Sequence, residues 1–114
     1  MTRTPAMARR LFRLAEMLGE GTIDQALCLL ETGNLEASLG RSAKAEECYR
    51  RALAQDPALT VAARNLAMLF LSMRREKESL ELMKKISIEA PESEEARELS
   101  PLIRQLEKNL QTGG

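Results

Sequence analysis

The sequence predicts an all-α protein, a short right-handed solenoid of antiparallel helix pairs. Three observations carry that prediction. Side chains return after 34 positions: Gly33, Ala45, Tyr49, Ala52 and Pro57 recur as Ala67, Ser79, Met83, Ile86 and Pro91. Leu29 and Ala63 keep the same spacing, as do Thr32 and Leu66. Between the turn signals, apolar residues recur every three or four positions, the period of one helix face. Aromatic residues make up 3% of the chain (Phe12, Tyr49 and Phe70), so Leu, Ala and Met must fill the core. Small side chains let helices approach closely. A helix pair of this size cannot bury its apolar face alone, so successive pairs stack. A closed bundle is the alternative architecture.

Pro5 opens a first helix over about 5–18, where Met7, Leu11, Leu14 and Leu18 form one stripe. Gly19 and Gly21 end it. Thr22 starts the second helix, with Gln25 placed to complete a capping box, and Gly40 supplies the left-handed residue that stops it. Ser42 is the expected cap of a third helix over 43–55, which ends before Pro57 because a proline disfavours helical backbone in the preceding residue. The fourth helix is expected over 58–73. Arg74 and Arg75 interrupt its pattern without a glycine. A fifth helix over 76–89 ends before Pro91. Ser93 caps the last helix, in which Pro101 either makes a kink or begins a new helix. The segment 112–114 is expected to fray. The resulting organisation is a single domain: an N-terminal helix over 1–21, a first repeat over 22–57, a second over 58–91 and a capping helix over 92–111.

Composition excludes several classes of function. Seventeen basic and seventeen acidic residues cancel, so there is no electrostatic footprint for nucleic acid. Only the start is one-sided, with Arg3, Arg9, Arg10 and Arg13 preceding Glu16. The apolar runs are a few residues long, too short for a membrane span. No secretory signal is visible. The arginine-rich start resembles a mitochondrial transit peptide, but Leu11, Leu14 and Leu18 read as core contacts of a retained helix. Cys28 and Cys48 read as reduced thiols of a cytoplasmic protein, with a regulatory disulfide as the alternative.

Nothing in the sequence points to catalysis or to a cofactor. There is no histidine, the commonest general base and metal ligand. Two cysteines cannot close a zinc site. Gly19-Glu20-Gly21 is too short for a phosphate loop. Glu92, Glu94, Glu95 and Glu98 suit the positive end of a helix. Cys48, beside Glu46 and Glu47, lacks the electropositive setting of an activated thiolate.

Over about 26–93 the sequence resembles the tetratricopeptide repeat family. The resemblance rests on Ala45, Tyr49, Ala52 and Asp56-Pro57 in the first copy and on Leu66, Ala67 and Phe70 in the second. The first copy departs at Thr32 and Glu36, where the family has Leu and an aromatic. The second departs at Ser79, Met83 and Ile86. The resemblance implies that the first helix of each repeat lines a concave groove. On the second helix that side holds Ile23, Leu27, Leu30, Asn34 and Ala37. On the fourth it holds Val61, Arg64, Asn65, Met68, Leu71 and Ser72. A helix open to water should be polar there, and half of the latter six are apolar.

Such a strip suits an apolar helical or extended segment of a protein or peptide partner. Three occupants are open: a terminal helix of the chain itself, a partner, or a second copy in a homo-oligomer. Members of the family that grip chaperone C-termini resemble this chain at Asn34 and Asn65. They need basic residues where Leu30, Glu95 and Leu99 stand, so that function is rejected. Groove character and chain size also resemble the small chaperones of bacterial secretion systems. The expected function is therefore an interaction module (adaptor, co-chaperone or assembly factor), with a self-associating structural protein as the alternative.

Overall fold

The computed structural model describes residues 5–18 and 23–112. Six helices follow one another: α1 (Pro5–Leu18), α2 (Ile23–Ser38), α3 (Ser42–Gln55), α4 (Thr60–Ser72), α5 (Glu76–Glu89) and α6 (Glu94–Thr112). Among the described residues there is no strand. Short connections make consecutive helices antiparallel neighbours. Each helix packs on the next, and α4 also meets α2 and α6. The two end helices, α1 and α6, do not meet, so the helices form an open stack of 46 × 28 × 23 Å and not a closed bundle.

The sequence period reappears in the backbone. α2 ends at Ser38 and α4 at Ser72; α3 ends at Gln55 and α5 at Glu89. The turns between paired helices are built alike. In the first, Arg41 N–H donates to Glu36 C=O at 2.9 Å and Gly40 N–H to Ala37 C=O at 3.0 Å. In the second, Arg75 N–H donates to Phe70 C=O at 2.9 Å and Arg74 N–H to Leu71 C=O at 3.1 Å. Both are Schellman turns, which need a left-handed residue after the helix. Gly40 has φ 77° and Arg74 has φ 59°. The second turn thus forms without the glycine, with Arg74 carrying the strain of a Cβ in that conformation.

Some expected caps differ. Ser42 is the first residue of α3, not its cap; Arg41 holds the cap position without a side-chain hydrogen bond. Thr22 lies outside the described residues. Gln25 is buried and sends its Nε2 to the Ala15 carbonyl at 3.0 Å, so it anchors α2 to α1. α4 starts two residues later than expected, because Asp56 accepts from the Ala58 and Leu59 amides and holds a turn over Pro57. Ser93 does cap α6, accepting from the Ala96 amide at 3.1 Å. α6 runs unbroken through Pro101 to Thr112. The proline is exposed there, and no second helix begins at it.

Two apolar clusters form the core. The first gathers Leu29, Leu30, Tyr49, Leu66, Leu69 and Phe70, with Ala15 from α1. The second gathers Ala63, Ala67, Leu80, Met83, Leu99 and Leu106. Adjacent residues of α4, Ala62 and Ala63, serve different clusters, so this helix is packed on two sides. Where the second copy has Ser79 in place of Ala45, its buried hydroxyl donates to the Ala67 carbonyl at 2.7 Å.

Candidate functional site: the face of α2 and α4

α2 and α4 meet through side chains more than through close backbone packing. Asn34 Oδ1 is the shared acceptor: Tyr49 Oη donates to it at 2.6 Å and Asn65 Nδ2 at 2.9 Å. Asn65 Oδ1 in turn accepts from Arg64 Nε and Nη2 at 3.3 and 3.2 Å. Arg64 reaches on to Glu98 of α6 at 2.8 Å, and Thr60 donates to Glu95. A run of polar contacts therefore crosses α3, α2, α4 and α6. Burial raises the Tyr49 phenol to about 12, with Cys48 and Glu31 adding to the shift, so Tyr49 stays a donor to Asn34. Asn34 Nδ2 has no hydrogen-bond partner among the described residues, which leaves two donor hydrogens for something outside the fold.

Five of the expected residues line one depression of about 460 Å³: Asn34, Ala37, Asn65, Met68 and Ser72. Tyr49, Leu69 and Ser42 complete its wall. Met68 is 43% exposed and Ser72 is exposed, so no terminal helix covers this part of the face. Leu27 stands outside the depression and is 44% exposed. Arg64 is half-buried in its pairing with Glu98. Val61 and Leu71 are half-buried and packed against the first and second cluster respectively. Leu30 corrects the expectation: at 5% exposure it belongs to the first cluster and does not line an open surface. The face is accordingly more polar than the sequence suggests. Its open large apolar side chains are Leu27 and Met68, and Met68 shares the depression with the amide pair.

Two side-chain contacts are not legible in the sequence. The Tyr49 hydroxyl orients Asn34 across 15 positions of sequence, which no helical spacing reveals. On the opposite layer, Arg75 binds Glu78 at 2.6 Å and Glu46 at 2.6 Å while stacking over Phe70 at 4.4 Å from the ring centre. The Arg75 hydrogen bond holds the Glu46 carboxyl below its ordinary range, against burial and with help from Arg50. The pattern Arg-x-x-Glu was the available signal, but it names only the local half of the contact.

Reactive groups do not gather on the α2/α4 face. Burial foremost, then Glu47 and Glu36, raises the Cys48 thiol to about 11, the opposite of activation. Cys28 is also raised, by burial and then by Asp24. Among the described residues no three potential metal ligands converge, and no helix is long and apolar enough to cross a membrane. The chemistry on offer is amide donors, amide acceptors and two exposed apolar side chains. No protein-family model matches the chain, and no curated protein sequence matches it.

Proposed function

We propose that the chain is a protein–protein interaction module of the tetratricopeptide kind, holding an extended or helical segment of a partner on the face of α2 and α4. The observation that carries this reading is the juxtaposition of Met68, 43% exposed, with the pinned Asn34–Asn65 pair in one open depression. A preorganised amide offers the partner backbone a donor at little ordering cost, because Tyr49 and Asn65 already fix its orientation. An exposed methionine adapts to varied apolar side chains. An adaptor, co-chaperone or assembly-factor role accords with this face. The second reading, self-association through the same face, rests on the same exposed Met68 and Leu27.

Selection from a random peptide library, followed by nuclear magnetic resonance titration, tests the proposal. Bound peptides should perturb the Asn34, Asn65 and Met68 signals together, and Met68→Glu should abolish the effect. Peptides that perturb only other faces would end the proposal. A stable dimer in sedimentation, with Met68→Glu restoring the monomer, would establish the second reading in its place.

A further inference from the structure

The two places where the first copy departs from the family pattern, Thr32 and Glu36, lie side by side in space. Thr32 and Glu36 stand one period before Leu66 and Phe70. Leu66 and Phe70 line a cleft between α3 and α5. The matching cleft between α1 and α3 has Thr32 and Glu36 in those positions. It is a pocket of about 290 Å³, on the layer away from Asn34 and Met68.

The pocket is ordered by depth. Its buried lining is Ala8, Thr32, Glu36 and Cys48, with Phe12 half-buried on the wall. Arg51 lies over the Phe12 ring at 5.0 Å and pairs with Glu16 at 2.7 Å, which holds that wall in place. The exposed rim carries Arg9, Arg13 and Lys44 against Glu47. Glu36 is 5% exposed; its Oε1 is 3.8 Å from Arg41 and its Oε2 accepts no hydrogen bond among the described residues. Thr32 has already spent its hydrogen on the Cys28 carbonyl at 2.7 Å. The floor thus presents oxygen acceptors, with the weak S–H of Cys48 beside them as a donor. A buried carboxyl oxygen lacking a partner is costly, and the soft terminal torsion of a glutamate lets a donor entering the pocket engage it.

We infer that this pocket binds a small ω-amino acid, with its ammonium group inward on Glu36 and its carboxylate outward among Arg9, Arg13 and Lys44. The order of the lining selects that class: acceptors at the bottom, Phe12 and Ala8 along the wall for a methylene chain, and an excess of cations at the mouth. An ammonium alone would be repelled at the rim. A carboxylate alone would leave Glu36 Oε2 without a donor.

Calorimetry and nuclear magnetic resonance with 6-aminohexanoate, hexanoate and hexylamine test the assignment. 6-Aminohexanoate should bind saturably and shift the Phe12, Thr32 and Cys48 signals, with each half-ligand weaker by about tenfold or more. Glu36→Phe, which copies Phe70, should abolish binding in a folded protein. Thr32→Leu, which copies Leu66, keeps the carboxyl but narrows the floor and should weaken binding, so the test survives if the first variant misfolds. The inference is overturned by a lack of saturable binding, by equal binding of hexanoate, or by unchanged affinity in Glu36→Phe. It is also overturned if a structure shows Arg9 or Arg13 folded inward onto Glu36. These outcomes leave the α2/α4 face untouched, since none of its residues lines the pocket.

Discussion

The Tyr49 ring lies directly on Gly33: a Cβ placed there would sit 2.6 Å from Cε1 and 2.7 Å from Cδ1. The ring cannot swing aside freely, because its hydroxyl is tied to Asn34. One period later the pair is Ala67 and Met83, both fully buried. A methyl on the first helix is met there by a flexible side chain on the second. Gly33→Ala should therefore destabilise by about 1–3 kcal/mol, overpacking outweighing the helix propensity gained. Adding Tyr49→Met should recover much of that loss. Urea melts of the two single variants and the double variant give the coupling; additive effects would refute the contact.

Arg74 offers a gain in stability. It occupies a left-handed turn that its counterpart Gly40 adopts freely. Arg74→Gly should stabilise by about 1 kcal/mol, and Gly40→Ala should cost a similar amount. Nothing lies within 4 Å of a Cβ at Gly40, so the effect there is conformational and not steric. Thermal melts of both variants check the opposite signs.

Glu46 makes stability depend on pH. Its folded-state carboxyl is held below the ordinary 4.5, chiefly by Arg75. A depressed carboxyl stabilises the fold above its unfolded pKa and loses that contribution as pH falls through the folded value. Glu46→Gln should thus cost about 1 kcal/mol at pH 7. The gap to the parent protein should close progressively below pH 4.5. Denaturant midpoints measured from pH 7 downward test this; a gap that is independent of pH would exclude the ion pair as its cause.

Met68 and Leu71 separate surface from core. Met68→Glu should shift the melting temperature little, because the side chain is 43% exposed. Leu71→Lys should lower it clearly, because Leu71 packs against the second cluster. The sequence pattern alone places both on the groove side of the fourth helix. Circular dichroism melts of each single change will distinguish them.

Much of the fold was legible because a solenoid repeats its own instructions. Ser93 announced α6, Gly40 announced the end of α2, and the period placed the pairs. What escaped depends on where neighbouring elements sit. Leu30 shares the helical stripe of Leu27 and Asn34, yet the first cluster buries it. Gln25 looked like half of a local cap because its carbonyl partner, Ala15, belongs to another helix. The turn at Arg74 was obscure because the backbone adopts the left-handed form there despite the side chain. At the candidate site, Asn34, Ala37, Asn65, Met68 and Ser72 were legible from spacing; the hydroxyl that orients Asn34 was not. Glu36 was visible as a departure, but only α1, packed beside it, turns that departure into a pocket.

The division of α4 between both apolar clusters has a consequence for how the chain melts. A helix gripped on two sides cannot release one grip without loosening the other. The amino-terminal and carboxyl-terminal halves should therefore lose protection against hydrogen exchange together at this helix, and fraying, where it occurs, should begin at α1 and α6 and stop when it arrives there.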